Sequence, residues 1–182
     1  MENILRENLD RCNKCLLHNL ECNVKDKNRG LGKLYGWHAC EIKDIKLFFV
    51  GLNPSYNRFP LLEHAFGGPN YPHGTGKEFV DLLTRTGAIK HCYVTNLVKC
   101  STLSNKVSHD HMEACVEHLF REVELLNPKA IVTMGNDVDG FLSVKSPVPI
   151  IKIWHPNYVF SYNRNQLENY ENKIREILDI CN

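Results

Sequence analysis

The sequence predicts a single-domain α/β protein, a three-layer α/β/α arrangement around a central, mainly parallel four-stranded sheet. Four short apolar runs, bounded by Gly, Asn or Pro, have the length and the β-branched or aromatic content of strands. Stretches with helical spacing lie between these runs. Because strand and helix alternate along the chain, the strands should pair in parallel and be covered by helices on both faces.

The predicted elements follow one another in a regular order. The strands are assigned to residues 46–50, 92–98, 130–134 and 150–154, and the helices to residues 77–86, 110–126 and 166–180. The apolar residues of the central helix form one stripe: Met112, Cys115, Val116, Leu119, Val123 and Leu126. Ser108 or Asp110 is suited to cap the start of this helix, and Asn127-Pro128 is suited to end it.

Two segments follow neither pattern. Residues 1–37 contain three cysteines and a glycine-rich stretch, and residues 54–76 are rich in Gly, Pro, Asn and aromatic residues. A long irregular loop in a compact α/β domain is usually functional or disordered. No shift in composition marks a domain boundary, so we expect one domain over residues 1–182, with the cysteine segment 1–37 packed on it.

Composition restricts the class of protein but not its function. Apolar residues make up 43% of the chain and charged residues 24%, the proportions of a soluble globular protein. No apolar run is long enough to cross a membrane and the first residues lack the apolar core of a signal peptide, so we expect a cytoplasmic protein without a membrane partner. The net charge of +1 gives no general attraction to nucleic acid, so any DNA contact needs a local patch.

Polar residues follow three of the predicted strands, at the ends where an open α/β sheet binds its ligands. The first strand runs into Gly51-Leu52-Asn53-Pro54-Ser55, the second carries Asn96 near its end, and the fourth runs into His155. Each residue also has an ordinary structural interpretation. The Asn-Pro pair can simply form a turn, Asn96 can close its strand, and His155 can be a core or surface histidine.

Eight cysteines in a chain without an export signal favour metal ligands and buried thiols over disulfides. Cys12 and Cys15 form a CxxC pair, Cys100 ends a strand, and Cys115 lies in the central helix. Four thiolates can surround a cubane cluster or a zinc ion; alternatively, Cys115 is a core residue and the CxxC pair is incidental. The remaining cysteines lack such spacing and are assigned structural roles: Cys22, Cys40, Cys92 and Cys181.

The order and spacing of these motifs resemble the uracil-DNA glycosylase superfamily, and especially its iron-sulfur branch, family 4. The resemblance spans most of the chain. It rests on Cys12 to Cys15, the loop Gly51 to Ser55, residues 69–76, the strand Tyr93-Val94-Thr95-Asn96-Leu97-Val98-Lys99-Cys100, Cys115, residues 128–135 and His155-Pro156.

The resemblance implies a monofunctional DNA repair enzyme that hydrolyses the N-glycosidic bond of uracil in DNA and leaves an abasic site. Its partner would be DNA containing uracil or another deaminated base, and it is expected to act as a monomer. By the same resemblance, four cysteines would hold a structural 4Fe-4S cluster, with zinc as the alternative: Cys12, Cys15, Cys100 and Cys115.

The resemblance also implies roles for single residues. Asn53 would position the attacking water, His155 would donate a hydrogen bond to O2 of uracil, and Asn96 would read the base. Gly51 and Leu52 would belong to the wall of the base pocket. Tyr71 is the first candidate to stack on the base and His73 the second. The His-Pro loop would contact DNA through its next residues, Asn157, Tyr158 and Val159.

Two departures from family 4 bear on the substrate and on local contacts. Family 4 proteins usually carry an acidic residue in the first loop, whereas Asn53 resembles the mismatch-specific and single-strand-selective branches. Hypoxanthine, xanthine or a thymine mismatch are therefore alternative substrates, and a non-catalytic module that binds damaged or single-stranded DNA is the rival class. Ser101-Thr102-Leu103 replaces a common Arg-Pro-Pro, so we expect the local contacts there to differ from those of family 4.

Overall fold

The computed structural model describes residues 7, 9–15, 34–55, 64–71, 73–102 and 106–181. The strands are β1 (Trp37–His38), β2 (Leu47–Gly51), β3 (Cys92–Asn96), β4 (Ala130–Met134) and β5 (Ile150–Ile153). The helices are α1 (Gly74–Thr86), α2 (His109–Leu126), α3 (Asn136–Leu142) and α4 (Leu167–Cys181). Among these residues, no helix is both long and apolar enough to span a membrane.

The strands form one sheet in the order β1-β3-β2-β4-β5. Strands β2 to β5 are parallel, as the alternation of strands and helices predicts, while β1 pairs with β3 in the antiparallel direction. The sheet therefore has five strands instead of the predicted four. The additional strand has only two residues, Trp37 and His38, which is too short to show any periodicity in the sequence.

The two faces of the sheet carry separate cores, because successive side chains of a strand point to opposite faces. On one face, Leu47 and Phe49 pack with Phe79 of α1 and Ile174 of α4. On the other face, the cluster of buried residues comes from β2, α2 and α3: Phe48, Val50, Leu119, Val123, Val138 and Phe141. The predicted three-layer α/β/α architecture is therefore confirmed.

The helices differ from the predicted ones mainly at their ends. Helix α1 begins at Gly74, three residues before the predicted start, and α4 extends to Cys181. Helix α2 is capped by Ser108, which accepts a hydrogen bond from the backbone N–H of His111 and forms a capping box with that residue. Helix α3 was not predicted, because seven residues with polar Asn136 and Asp137 at the start give too short a pattern.

Parts of the segment 1–37 contact the rest of the molecule. Leu9 and Leu34 are buried, and the backbone N–H of Leu34 donates to the carbonyl of Lys99. Lys14 forms an ion pair with Glu117 of α2. These contacts involve the described parts of the segment, and the single-domain organisation of the chain stays a prediction. Cys22 and the glycine-rich stretch lie outside the described residues.

Candidate active site

A cavity of about 250 Å³ lies at the carboxyl ends of the parallel strands. Its walls come from the loop after β2, the end of β3, the loop after β5 and the segment leading into α1. The described residues that line it are Leu34, Asn53, Pro54, Ser55, Phe66, Tyr71, Thr75, Gly76, Asn96, His155 and Asn157. Asn53, Asn96 and His155, which the sequence places at three different strand ends, therefore meet at one cavity.

Asn96 is held against the end of the neighbouring strand. It is the last residue of β3, is 3% exposed, and pairs in register with Gly51 of β2. A Cβ atom on Gly51 would lie 2.7 Å from Oδ1 of Asn96 and 2.9 Å from Cε2 of Phe66. Any side chain at position 51 would thus displace two residues of the cavity wall, so Gly51 is required for the observed site.

The amide group of Asn53 is oriented by its own loop. Its Nδ2 donates a hydrogen bond to the carbonyl oxygen of Pro54 at 3.0 Å. This bond uses one of the two N–H donors of the amide and fixes its orientation, so Oδ1 is the atom that can accept a hydrogen bond from a water molecule. The loop therefore presents Asn53 as an acceptor and not as a base, because an amide has no useful basicity near neutral pH.

The hydrogen bond at Nδ1 fixes the tautomer of neutral His155. Nδ1 lies 3.1 Å from the backbone N–H of Asn157, which can only donate, so Nδ1 accepts and the ring proton resides on Nε2. Burial lowers the pKa of His155 below its ordinary value, which favours this neutral form. His155 is therefore suited to donate a hydrogen bond through Nε2 without carrying a positive charge.

Asn157 connects the loop after β5 to helix α1. Its Oδ1 accepts hydrogen bonds from the hydroxyl of Thr75 at 2.9 Å and from the hydroxyl of Ser161 at 3.0 Å. Since the backbone of the same residue bonds to His155, these contacts hold the histidine relative to the first turn of α1. Thr75 is thus part of the cavity wall and part of the support of His155.

An aromatic ring that the sequence did not single out lies beside His155. The ring centroid of Phe66 is 5.8 Å from that of His155 and 5.5 Å from that of Phe79. Phe66 has a positive φ of 54°, and a Cβ on Gly76 would lie 2.0 Å from its carbonyl oxygen. The only sequence signal for this packing is the Gly67-Gly68 pair that follows Phe66 in the irregular segment.

The two aromatic candidates from the sequence occupy different places. Tyr71 lines the cavity, whereas His73 is exposed, precedes α1, and is not among the lining residues. The rings of Tyr71 and His73 meet edge to face with a centroid distance of 6.1 Å. Phe66 and Tyr71 are therefore the rings in position to contact a ligand in the cavity.

Two further residues lie elsewhere than expected. Leu52 packs against the core between the sheet and helices α2 and α3, not among the lining residues. Val159 is fully buried, which contradicts its expected contact with DNA, whereas Tyr158 is 48% exposed. Asn157 lines the cavity and Tyr158 follows it at the surface.

The four candidate cysteine ligands lie near the start of α2 and the end of β3. The thiol of Cys115 is buried, and this burial is the main reason that its pKa is raised to about 12. The nearby thiols of Cys100 and Cys15 also raise the pKa, whereas a hydrogen bond from the backbone of Lys99 lowers it. Sγ of Cys12 lies 3.0 Å from Nε2 of His118, one turn along α2 from Cys115.

This donor set fits a cubane cluster by its chemistry. Among the described residues, no three His, Cys, Asp or Glu side chains are grouped as ligands of one metal ion would be. A cubane makes a different demand, because each of four thiolates binds a different iron. Cys100 and Cys15 lie near Cys115, and Cys12 contacts His118 on the same helix, so the four thiols come from neighbouring parts of the structure. Of the cysteines assigned structural roles, Cys92 and Cys181 are buried and Cys40 is half-buried.

A larger cavity of about 770 Å³ lies away from the strand ends, between α2 and β1. Its walls include a buried ion pair in which Nζ of Lys99 lies 2.6 Å from Oε2 of Glu122. This pair satisfies both charges within the protein. The smaller cavity is the better candidate site, because the strand-end residues converge there and open α/β sheets bind ligands at that edge.

Comparisons with known proteins identify the family and agree with the fold. The family described as Uracil DNA glycosylase superfamily matches residues 38–179. The chain is 25% identical to the Type-4 uracil-DNA glycosylase of Archaeoglobus fulgidus, covering 100% of this chain and 93% of that one. It is 26% identical to the Type-4 uracil-DNA glycosylase of Thermotoga maritima, covering 90% and 85%. The crystal structure of wild-type Pedobacter heparinus SMUG2 has a similar fold, with a TM-score of 0.56, 15% identity and 75% of each chain covered.

We predict that His155 titrates below the pKa of the same residue in the unfolded chain. Burial disfavours the imidazolium, so the unfolded chain binds a proton near pH 6.5 while folded His155 remains neutral. The free energy of unfolding should therefore decrease as the pH falls below about 6.5. NMR titration of the imidazole carbon-bound protons measures the pKa, with His155→Gln assigning the signal. A pKa of His155 at or above that of the unfolded chain would contradict the neutral donor.

Proposed function

Because the chain belongs to the uracil DNA glycosylase superfamily, we propose that it hydrolyses the N-glycosidic bond of uracil in DNA and leaves an abasic site. The observation that carries this proposal is the convergence of Asn53, Asn96 and His155 on one cavity of about 250 Å³ at the strand ends. The names of the relatives from Archaeoglobus fulgidus and Thermotoga maritima support uracil as the base. The proposed partner is DNA, and the protein acts on it as a monomer in the cytoplasm.

Asn96 would read the base after it leaves the helical stack. Its Oδ1 can accept from N3–H of uracil, and its Nδ2 can donate to O4, a pattern that cytosine inverts. The residue is 3% exposed, so a mismatched base would leave buried polar groups unpaired. This burial supports Asn96 as the residue that sets base specificity, while binding contacts offset the cost of unstacking the base.

His155 would stabilise the departing base. Cleavage of the N-glycosidic bond places negative charge on uracil, and a donor at O2 lowers the barrier by about 3 kcal/mol if it acts like one donor of an oxyanion hole. Nε2 of His155 carries the required proton in the neutral tautomer. The low pKa caused by burial supports a neutral donor at physiological pH.

Asn53 would hold the water molecule that attacks the sugar carbon. Since an amide cannot remove the proton of water before attack, the bond to the base breaks first and the water adds to the cationic sugar. None of the described residues lining the cavity is a lysine. This supports a monofunctional hydrolase, in which water is the nucleophile and no imine with the sugar is formed.

Aromatic stacking would complete the base pocket. Phe66 and Tyr71 both line the cavity, and the ring centroid of Phe66 lies 5.8 Å from that of His155. We therefore add Phe66 to Tyr71 as a candidate to stack on the base, and rank His73 below both. Asn157 lines the cavity and Tyr158 follows it at the surface, so both would contact the DNA around the extruded base.

A 4Fe-4S cluster would be held by Cys12, Cys15, Cys100 and Cys115. When bound, it would crosslink the CxxC segment, the end of β3 and helix α2. The cysteines do not line the candidate cavity, which supports a structural role for the cluster. Zinc is the alternative metal for the same thiols.

We predict that His155→Ala and Asn53→Ala each slow uracil release by about two to three orders of magnitude, as the loss of one transition-state contact does elsewhere. Single-turnover excision from a uracil-containing oligonucleotide, followed by alkaline cleavage of the abasic site, measures the rate. Binding of the same DNA should remain close to normal.

Two exposed residues outside the cavity provide matched controls, His109→Ala and Asn169→Ala. Their excision rates should equal that of the unaltered protein. Near-normal excision by both His155→Ala and Asn53→Ala would refute the site. Excision of hypoxanthine or xanthine in preference to uracil would instead assign the chain to the broader substrate class that Asn53 suggests.

We predict that Asn96→Asp weakens discrimination between uracil and cytosine by about tenfold or more. A protonated carboxyl oxygen at this position can donate to N3 of cytosine. The amide oxygen of Asn96, which would face N3 in the uracil complex, can only accept. Excision rates for U·G and C·G oligonucleotides give the ratio directly. An unchanged ratio would show that another residue reads the base.

We predict that protein purified without oxygen contains about four irons per chain and that Cys115→Ser loses them, because a cubane requires four thiolates. Iron and zinc analysis with visible absorption measures occupancy. Cys40→Ser is the control, since Cys40 is half-buried and outside the proposed ligand set. Stoichiometric zinc without iron would identify the alternative metal.

A further inference from the structure

We propose that Trp154 and Tyr158 form a stacking surface for the unpaired bases of a single DNA strand on either side of the base held in the cavity. This inference rests on the proposed function, because it extends the same site along the DNA. We call this surface the Trp154–Tyr158 surface. A protein with this surface should bind single-stranded DNA in preference to duplex DNA.

The surface is unusual for its exposed aromatic content. In the described part of the chain, five large hydrophobic side chains are exposed. Three of them are aromatic and lie between residues 154 and 162. Trp154 is 46% exposed, Tyr158 48% and Tyr162 75%. The rings of Trp154 and Tyr158 contact each other edge to face with a centroid distance of 5.7 Å. Clustered exposed aromatic rings mark interaction sites more often than isolated ones do.

The backbone that carries the two rings is held in place. The hydroxyl of Tyr170 donates to the carbonyl of Trp154 at 2.8 Å, and Nδ2 of Asn163 donates to the carbonyl of Tyr158 at 3.3 Å. The N–H of Tyr158 donates to the carbonyl of His155 at 2.9 Å. Binding therefore needs little further ordering of the protein, which favours rigid aromatic residues as contacts.

The position of the surface points to a nucleic acid as its partner. Trp154 directly precedes His155, and Tyr158 directly follows Asn157; both His155 and Asn157 line the cavity. A strand whose base enters the cavity must continue past this mouth, so its neighbouring nucleotides come within reach of the two rings. Stacking on aromatic rings accepts any base, because every base has a π-face.

An exposed cation lies two residues before the indole, in the strand that leads to the Trp154–Tyr158 surface. Lys152 and Trp154 are exposed while Ile153 between them is buried, as the alternation of a strand requires. The side chain of Lys152 is 47% exposed, and its Nζ lies 3.7 Å from Asp139. This loose surface ion pair leaves the ammonium group in contact with solvent, where it can approach a phosphate.

The geometry favours an unpaired strand. In a duplex the faces of the neighbouring bases are already covered by stacking, so exposed rings could reach them only by opening further base pairs. In a single strand the faces are free. Val159, the residue after Tyr158, is fully buried and cannot act as a wedge between base pairs.

Tryptophan fluorescence tests the surface directly, because the chain has two tryptophans and only Trp154 is exposed; Trp37 is 4% exposed. The probe is a uracil-free oligonucleotide, used as a single strand and as the matched duplex. We expect the single strand to quench the emission and to bind at least about tenfold more tightly than the duplex, and Trp154→Phe to lose the quenching. Tyr158→Ala should weaken single-strand binding about tenfold, as the loss of one stacked base does.

Val144→Ala is the matched control, because Val144 is 82% exposed and distant from the cavity in sequence. It should bind DNA normally. Equal binding of single strand and duplex, or normal binding by Tyr158→Ala, would overturn the proposal. Spectral changes that follow protein concentration and not DNA would also overturn it, in favour of contact between two copies of the chain. Because the probe contains no uracil, quenching measures binding independently of excision. A protein that binds the single strand but releases no uracil from a separate uracil-containing oligonucleotide would refute the proposed enzyme function and leave the surface intact.

Discussion

The close approach of three segments at Gly51 is the constraint on which the site depends. Gly51 pairs with Asn96 across the sheet, and a side chain at position 51 would collide with both Asn96 and Phe66. The same segment needs Gly76, because a Cβ there would lie 2.0 Å from the carbonyl oxygen of Phe66. The amide of Asn96 and the ring of Phe66 can share one cavity wall only because these two positions lack side chains.

Hydrogen bonds within the protein also determine what each polar residue offers to a ligand. The backbone N–H of Asn157 donates to Nδ1 of His155 and leaves Nε2 as a donor, while one N–H of the Asn53 amide donates to Pro54 and orients the amide oxygen as an acceptor. The donor role of His155 and the acceptor role of Asn53 thus arise from hydrogen bonds that each residue makes within the protein. Thr75 extends this control to helix α1, so the orientation of the histidine depends on how that helix packs.

The sequence could predict the elements that repeat or end abruptly. Asn53, Asn96 and His155 could be placed together because each lies at or just after the end of an apolar strand, and parallel strands bring their carboxyl ends to one edge. Phe66 was missed because its position depends on a positive φ and on packing against Gly76, neither of which has a periodic signal. Burial of Val159 could not be predicted either, since it follows from a π-helical turn at residues Tyr158–Tyr162.

The buried ion pair of Lys99 and Glu122 explains how the cysteine region and the cavity are connected. Nζ of Lys99 also donates to the hydroxyl of Thr95, at 2.7 Å, in the strand that ends with Asn96. Glu122 lies on α2, two turns after Cys115, and Cys100 follows Lys99 directly. The ion pair and a cluster held by these cysteines would tie the same two elements, β3 and α2. A cluster held by these cysteines would therefore support the candidate site by keeping β3, and with it Asn96, in register.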